Sequence, residues 1–430
     1  MNTPYVQNQS FMNTRIIYLL SILFFAFQYI FYNDTQGTLV LGGLAAFLLI
    51  FSILTGSIKS LIKIDSYHKH LIVFALYCLA SVWWAYDADL ALGRALTMIK
   101  ILIIMFVIYP VFRDAFNYKQ LFSIIMWGGF VVMIYTIIVV GIGNLILLSA
   151  TSGRLENDDF INVNVLGQLA TYVVLINVFF QIYDKLSWNI LINIPSLLII
   201  ALCGSRKAFV LLIVGLFVLF VLKNQTQNKI FYVFKITLTS IIIIILLNTI
   251  MSIPIFGVIN ERMEGLIAAF TGVGEVDHST LVRESMREIG YNQFLKTPIL
   301  GIGIDNARIL SYQNFGKLIY LHNNYAELAA DLGVIGLLLF YRMHFYVGYN
   351  LWKVSIKEHP YNALVIMMVI FMLVSDYGVV SYYYKDFFMS IMIIYIYIEH
   401  LNPKTVFSIK KRFNYRKLRF SVGKVDDKRC

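Results

Sequence analysis

Leu321-His322-Asn323-Asn324-Tyr325-Ala326-Glu327-Leu328-Ala329-Ala330-Asp331-Leu332-Gly333-Val334-Ile335-Gly336 closes the one long polar interruption, residues 252–336, in a chain that otherwise reads as hydrophobic helix. Asn324, Glu327 and Asp331 fall at helical spacing and share one face, with Leu328, Leu332 and Ile335 beside it. The run therefore predicts a helix that carries polar residues to the edge of an apolar body and leaves His322 at its mouth. A helix starting at Gly333 would put Arg342 near mid-membrane, at a cost of about 2.5–3.5 kcal/mol. One starting near Tyr325 draws Glu327 and Asp331 inward instead. A kink or partial re-entry at Gly333 relieves both.

Composition sets what surrounds this stretch. Of 430 residues, 59% are hydrophobic and only 14% charged, with a mean hydropathy of +0.74. Soluble domains carry about 25% charged residues, so the fold class is an all-α integral membrane protein. Apolar runs of 18 or more residues recur, long enough to cross about 30 Å of hydrocarbon, and only helices satisfy their own backbone there. The alternation of a membrane barrel is absent. Spans are expected near residues 16–33, 38–57, 69–86, 95–112, 120–140, 164–183, 188–203, 207–222, 230–251, 333–352, 361–380 and 385–400, about twelve in all. The organisation follows: a nine-helix membrane region (1–251), a large external loop (252–332), a three-helix membrane region (333–400) and a basic tail (401–430).

Charge sets the orientation. The net charge is +11, yet ten of the 35 Lys and Arg lie after His400. A basic tail beside a final span anchors at anionic lipid, and nucleic acid is not implied. With the N-terminus inside, 23 of the 35 basic residues fall on inner segments, so both termini are expected to be cytoplasmic. The loop, residues 141–163 and the Gly204-Ser205-Arg206-Lys207 turn then share the outer face. Cys78, Cys203 and Cys430 show no pairing or metal spacing. The first 14 residues do not resemble a signal peptide, and no internal repeat suggests an inverted-repeat transporter.

Several residues can carry chemistry. Arg206, at the outer end of a span, offers a planar fork suited to phosphate or diphosphate, or it simply snorkels to the interface. Arg283 and Arg287 are i,i+4 and share a helix face. They clamp one polyanion there, or pair with Glu284 and Glu288 on a solvated helix. His322 can take a proton from a hydroxyl as neutral imidazole, or cap a helix. Asn323, Asn324 and Glu327 are expected to orient it or bind sugar hydroxyls. Residues 297–303 read as a tight turn, not a dinucleotide fingerprint. Asp87-Ala88-Asp89 has a metal-binding form but sits in a short turn, where a structural role is favoured. Glu156, Asp158 and Asp159 suit glycan contact or plain solvation, and Tyr291, Tyr312, Phe315, Tyr320 and Tyr325 are candidates to stack on sugars. The other histidines form no metal-ligand set, so no metal or cofactor is expected.

Three segments together resemble the O-antigen polymerase and ligase superfamily, the Wzy-type polymerases and their ligase relatives. They are Gly204-Ser205-Arg206-Lys207-Ala208, the Arg283 helix followed by Pro298-Ile299-Leu300-Gly301-Ile302-Gly303, and the His322 to Gly336 segment. They cover roughly residues 200–340. Lys207 departs from the pattern, where glycine is usual. The resemblance implies a glycosyltransferase of GT-C-like architecture in a bacterial cytoplasmic (inner) membrane, using undecaprenyl-diphosphate-linked oligosaccharide at the outer face. Arg206, Arg283 and Arg287 would hold the donor diphosphate and His322 would activate the acceptor hydroxyl. Inversion without a metal is expected, with membrane lipid, a chain-length regulator and a flippase as partners. A polymerase of repeat units is the leading expectation, and transfer of finished polysaccharide to a lipid or protein acceptor is the alternative. A polysaccharide transporter or flippase is the rival from another class, although span interiors here are poor in charge.

Overall fold

The computed structural model describes residues 4–31, 35–58, 63–151, 155, 162–184, 190–223, 231, 235–237, 253, 256–272, 274–276, 278–353 and 359–401. The helices are α1 (Pro4–Ile30), α2 (Thr35–Leu54), α3 (Ser66–Ala80), α4 (Ala88–Ala115), α5 (Tyr118–Val140), α6 (Ile142–Ala150), α7 (Val163–Asp184), α8 (Ile190–Cys203), α9 (Arg206–Lys223), α10 (Gly257–Thr271), α11 (His278–Lys296), α12 (Ala307–Phe315), α13 (Asn324–Trp352), α14 (Tyr361–Asp376) and α15 (Lys385–Leu401). No strand occurs among the described residues. Among the described residues, six helices are long and apolar enough to cross a membrane: α1, α2, α4, α5, α7 and α13. Shorter apolar helices lie at Leu191–Cys203 and Tyr361–Asp376. The expected span at 230–251 falls almost wholly outside the described residues.

The apolar faces bury against one another. α1 packs on α5, α5 on α7, α7 on α8 and α9, and α14 on α9. α15 is buried on every side from Phe387 to Ile398, as a helix apolar all round must be. Polar side chains close the helix ends. Asn117 and Gln120 form a reciprocal capping box at the start of α5.

The break in α13 positions everything functional. Gly333 has φ 61° and ψ −165° within that helix, the kink expected there. A helix broken inside a membrane protein must satisfy its freed backbone groups elsewhere. The turn at 297–303 does this. Ile302 N and Gly303 N donate to the Ala330 and Asp331 carbonyls at 3.0 and 2.8 Å, and Val334 N donates to Pro298 O at 2.8 Å. Tyr77 Oη donates to the Leu332 carbonyl at 3.0 Å. The approach is so close that a Cβ on Gly333 would lie 2.3 Å from Ile299 O, and one on Gly301 2.4 Å from the Asp331 carbonyl. The turn and the broken helix are one unit, and the first half of α13 also packs along α11.

Candidate functional site

Sequence-distant cations converge on one cavity of about 790 Å3. Ser205, Arg206 and Lys207 reach it from the start of α9, Arg262 from α10, and Arg283, Glu284 and Arg287 from α11. His322 and Tyr325 enter from the start of α13, and Leu373, Val374, Tyr377 and Gly378 from the end of α14. Among the described residues lining it, five are basic and one, Glu284, is acidic. The α9 N-terminus adds the positive end of a helix dipole. A concave site of this size and sign suits an anion of diphosphate class carrying a larger organic group.

Arg206, Arg262 and Lys207 each donate to a backbone carbonyl. Arg206 Nη1 donates to Arg262 O at 2.8 Å, and Arg262 Nη1 returns a bond to Gly204 O at 2.9 Å. This pair fastens α10 to the turn before α9. Lys207 Nζ donates to Ser375 O at 3.0 Å and lies against Gly378, where a Cβ would come within 3.2 Å of it. Arg287 sits over the Tyr377 ring at 4.8 Å and reaches Glu284 only at 4.0 Å. Glu284 is largely exposed, so that ion pair contributes little.

His322 is built into place. Its φ is 54°, one of two positive-φ residues other than glycine among the described residues, Asp305 being the second. Such strain persists only where surrounding contacts over-determine it. Glu327 Oε2 accepts from Leu321 N at 2.6 Å, while Asn323 Oδ1 accepts from Ala326 N at 2.9 Å and caps α13. Asn323 Nδ2 also donates to Tyr377 O at 3.1 Å. Tyr320 packs on the imidazole at a ring distance of 4.2 Å. Burial, then the positive charges of Arg283 and Lys207, lower the His322 pKa to about 4, so the ring is neutral at physiological pH.

Arg206, Arg283, Arg287 and His322 are thus brought together, whereas Asn323, Asn324 and Glu327 do not line the cavity. They are 3%, 0% and 0% exposed. Asn324 Oδ1 accepts from Ser381 N and Tyr382 N, and its Nδ2 donates to Tyr341 Oη and Asp376 Oδ2. Glu327 Oε1 accepts from Tyr383 Oη at 3.0 Å. Their polar atoms are engaged by groups of the protein itself. Helical spacing gives the shared face but not which body that face meets.

The remaining candidates also find places. Asp87 Oδ1 accepts from Asp89 N and Leu90 N at 3.0 Å, capping α4, so the structural role favoured for that triplet holds. Glu156, Asp158 and Asp159 lie outside the described residues. Lys207, Arg262 and Tyr377 gain a place that sequence reasoning did not assign. Arg94 was missed altogether. It pairs with Asp305 at 3.1 Å and lies over Tyr383 at 4.1 Å, behind Glu327. An arginine at the start of a span expected to face outward, against the charge bias of the other loops, was its only signal.

A search of curated proteins finds no match. Residues 191–341, just over a third of the chain, match the family described as O-Antigen ligase. That stretch contains Arg206, Arg262, Arg283, Arg287, the 297–303 turn, His322 and the break at Gly333, so residues 191–341 are similar to the O-antigen polymerase and ligase superfamily over the very segments that build the cavity.

Proposed function

We propose that the protein is a membrane glycosyltransferase that joins undecaprenyl-diphosphate-linked repeat units into a surface polysaccharide. Members of this family are membrane glycosyltransferase-like enzymes acting on lipid-linked polysaccharides. The observation that carries the reading is the cavity itself, where four arginines and a lysine surround a neutral histidine. About twelve spans of GT-C-like architecture hold it, with the loop 252–332 on the outer face of a bacterial cytoplasmic membrane.

In this reading the acceptor hydroxyl attacks the anomeric carbon of the donor glycan. The bond from that carbon to the diphosphate oxygen breaks, and the diphosphate leaves with the electron pair. The hydroxyl proton passes to a nitrogen of His322. Charge grows on the leaving diphosphate, so preorganised Arg206, Arg283 and Arg287 stabilise the transition state more than the ground state. Arg262 and Lys207 join them. Asn323, Asn324 and Glu327 position the His322 segment and do not touch sugar. A single displacement inverts the anomeric centre. The description of the matched family favours one second reading, transfer of finished polysaccharide to another acceptor.

The test is the size distribution of surface glycan and lipid-linked intermediates in a deletion strain. It is complemented with the natural protein, Arg206→Ala, Arg283→Ala or His322→Ala. Polymerase predicts single lipid-linked units in the variants; ligase predicts long lipid-linked polymer without final attachment. His322→Ala is expected to lower turnover by about 10²–10⁴ if His322 is the general base. Normal polymer from a normally inserted His322→Ala variant removes it from the mechanism.

A further inference from the structure

Behind the wall of the main cavity lies a second, much smaller one, of about 60 Å3, between α7, α14 and α15. Asp386, Asp376, Ser375 and Gln168 line it. Three of its polar atoms, Asp386 Oδ1, Ser375 Oγ and Gln168 Nε2, are sealed from solvent with no hydrogen-bond partner among the described residues. Ser375 as a whole is only 8% exposed. Asp376 differs, because its carboxylate accepts from Ser381 Oγ at 2.6 Å, Tyr341 Oη at 2.8 Å and Asn324 Nδ2 at 3.3 Å. One carboxylate oxygen, one hydroxyl and one amide, each buried and unsatisfied, therefore belong to residues lining one small cavity in an otherwise apolar bundle. Leaving such groups unmet is costly in a low-dielectric interior.

We propose that this cavity is a binding site for a small monovalent cation of sodium size. The space of about 60 Å3 has room for a small ion and a few waters. Both ionisable carboxylates lining it are acidic and no basic side chain does, which excludes anions. The basic neighbours point elsewhere: Lys385 Nζ donates to Phe31 O at 2.8 Å, and Lys207 Nζ to the Ser375 carbonyl. A divalent ion calls for six or more oxygen ligands, several of them charged, and only Asp386 offers an unengaged carboxylate oxygen. A monovalent ion is met by Asp386 Oδ1, Ser375 Oγ and water, with Gln168 Nε2 donating to that water. Ser375 joins the two sites, its hydroxyl facing the ion and its carbonyl holding Lys207. Occupancy therefore fixes the end of α14 on which the main cavity rests. The inference does not depend on which glycan reaction that cavity performs.

The experiment is thermal unfolding of the full chain in detergent, with sodium chloride replacing choline chloride at constant ionic strength. The natural protein should gain stability saturably with sodium. Ser375→Ala should need about tenfold more sodium, the equivalent of losing one ligand contact of about 1.4 kcal/mol. Asp386→Asn should not respond at all. Sodium-23 line broadening by the natural protein, reversed on adding excess unlabelled competitor lithium, reads the same site without any variant. Equal melting in sodium and choline together with unbroadened sodium overturns the proposal and assigns the cavity to water or a protonated Asp386. An unchanged sodium response in a folded Asp386→Asn protein also overturns it, by placing the ion elsewhere.

Discussion

His322 combines a strained backbone with a depressed pKa, and both follow from its neighbours. A base near pKa 4 is always neutral at pH 7 but weak. Arg283 and Lys207 contribute to that depression, so an anionic diphosphate bound against them should restore basicity. The sign is fixed: protonation removes the base, so rate falls as pH drops through the relevant pKa. In the free enzyme that point is about 4, so kcat/KM should hold until pH falls towards 4. The acid limb of kcat should lie higher, because the substrate complex has offset the cations. Coincident limbs in a pH-rate study with purified lipid-linked donor would refute this coupling. Glu327 supplies the second residue-scale prediction. Glu327→Ala leaves Leu321 N and Tyr383 Oη unpaired at a cost of about 1–3 kcal/mol each, and it releases the His322 backbone. Turnover should fall at least about tenfold with donor KM little changed, since the arginines stay in place. Glu327→Gln, which keeps an acceptor for Leu321 N, should recover most of the rate. A change confined to KM would return Glu327 to substrate contact.

At the scale of elements, the 297–303 turn and the broken α13 stand or fall together. Gly333→Ala faces both a positive φ and a 2.3 Å approach to Ile299 O. The conformational strain alone costs about 1–2 kcal/mol, and the backbone clash adds to it. The expected outcome is loss of folded protein at normal growth temperature, read by protease resistance in membranes. Gly348→Ala, where a Cβ meets nothing within 4 Å, should be neutral. Normal levels of Gly333→Ala would mean that the turn does not need this approach. The break was legible in the sequence because two placements of the helix each buried a charge that the other spared. The common face of Arg283 and Arg287 was legible from the helical period. The inward turn of Asn324 and Glu327 was not, because spacing fixes which residues share a face and not what covers it. Tyr382 and Tyr383, which hold Asp331 and Glu327, lie more than fifty residues away and left no local trace. The same is true of Lys207 meeting Ser375.

For the whole molecule, the proposal requires the cation-lined cavity to open outward, and orientation is the property that the charge distribution addresses directly. Arginine and lysine are retained on the cytoplasmic side during insertion, and the tail after His400 alone carries ten of the chain's 35. Five cations at the other end of the bundle run against that bias. The structure supplies a reason for tolerating them, since Arg206, Lys207 and Arg262 each donate to backbone carbonyls and Arg287 rests on Tyr377. The arrangement can be tested with thiols. Cys78 and Cys203 are buried, which leaves Cys430 in the basic tail as a natural reporter of one side. Glu284→Cys, at a largely exposed cavity position, reports the other. In protoplasts an impermeant maleimide should label position 284 at once and Cys430 only after the membrane is opened. Labelling of Cys430 in sealed cells with protection of position 284 would turn the molecule over. The diphosphate-binding cavity would then face the cytoplasm, and an outer-face polymerase would no longer be tenable.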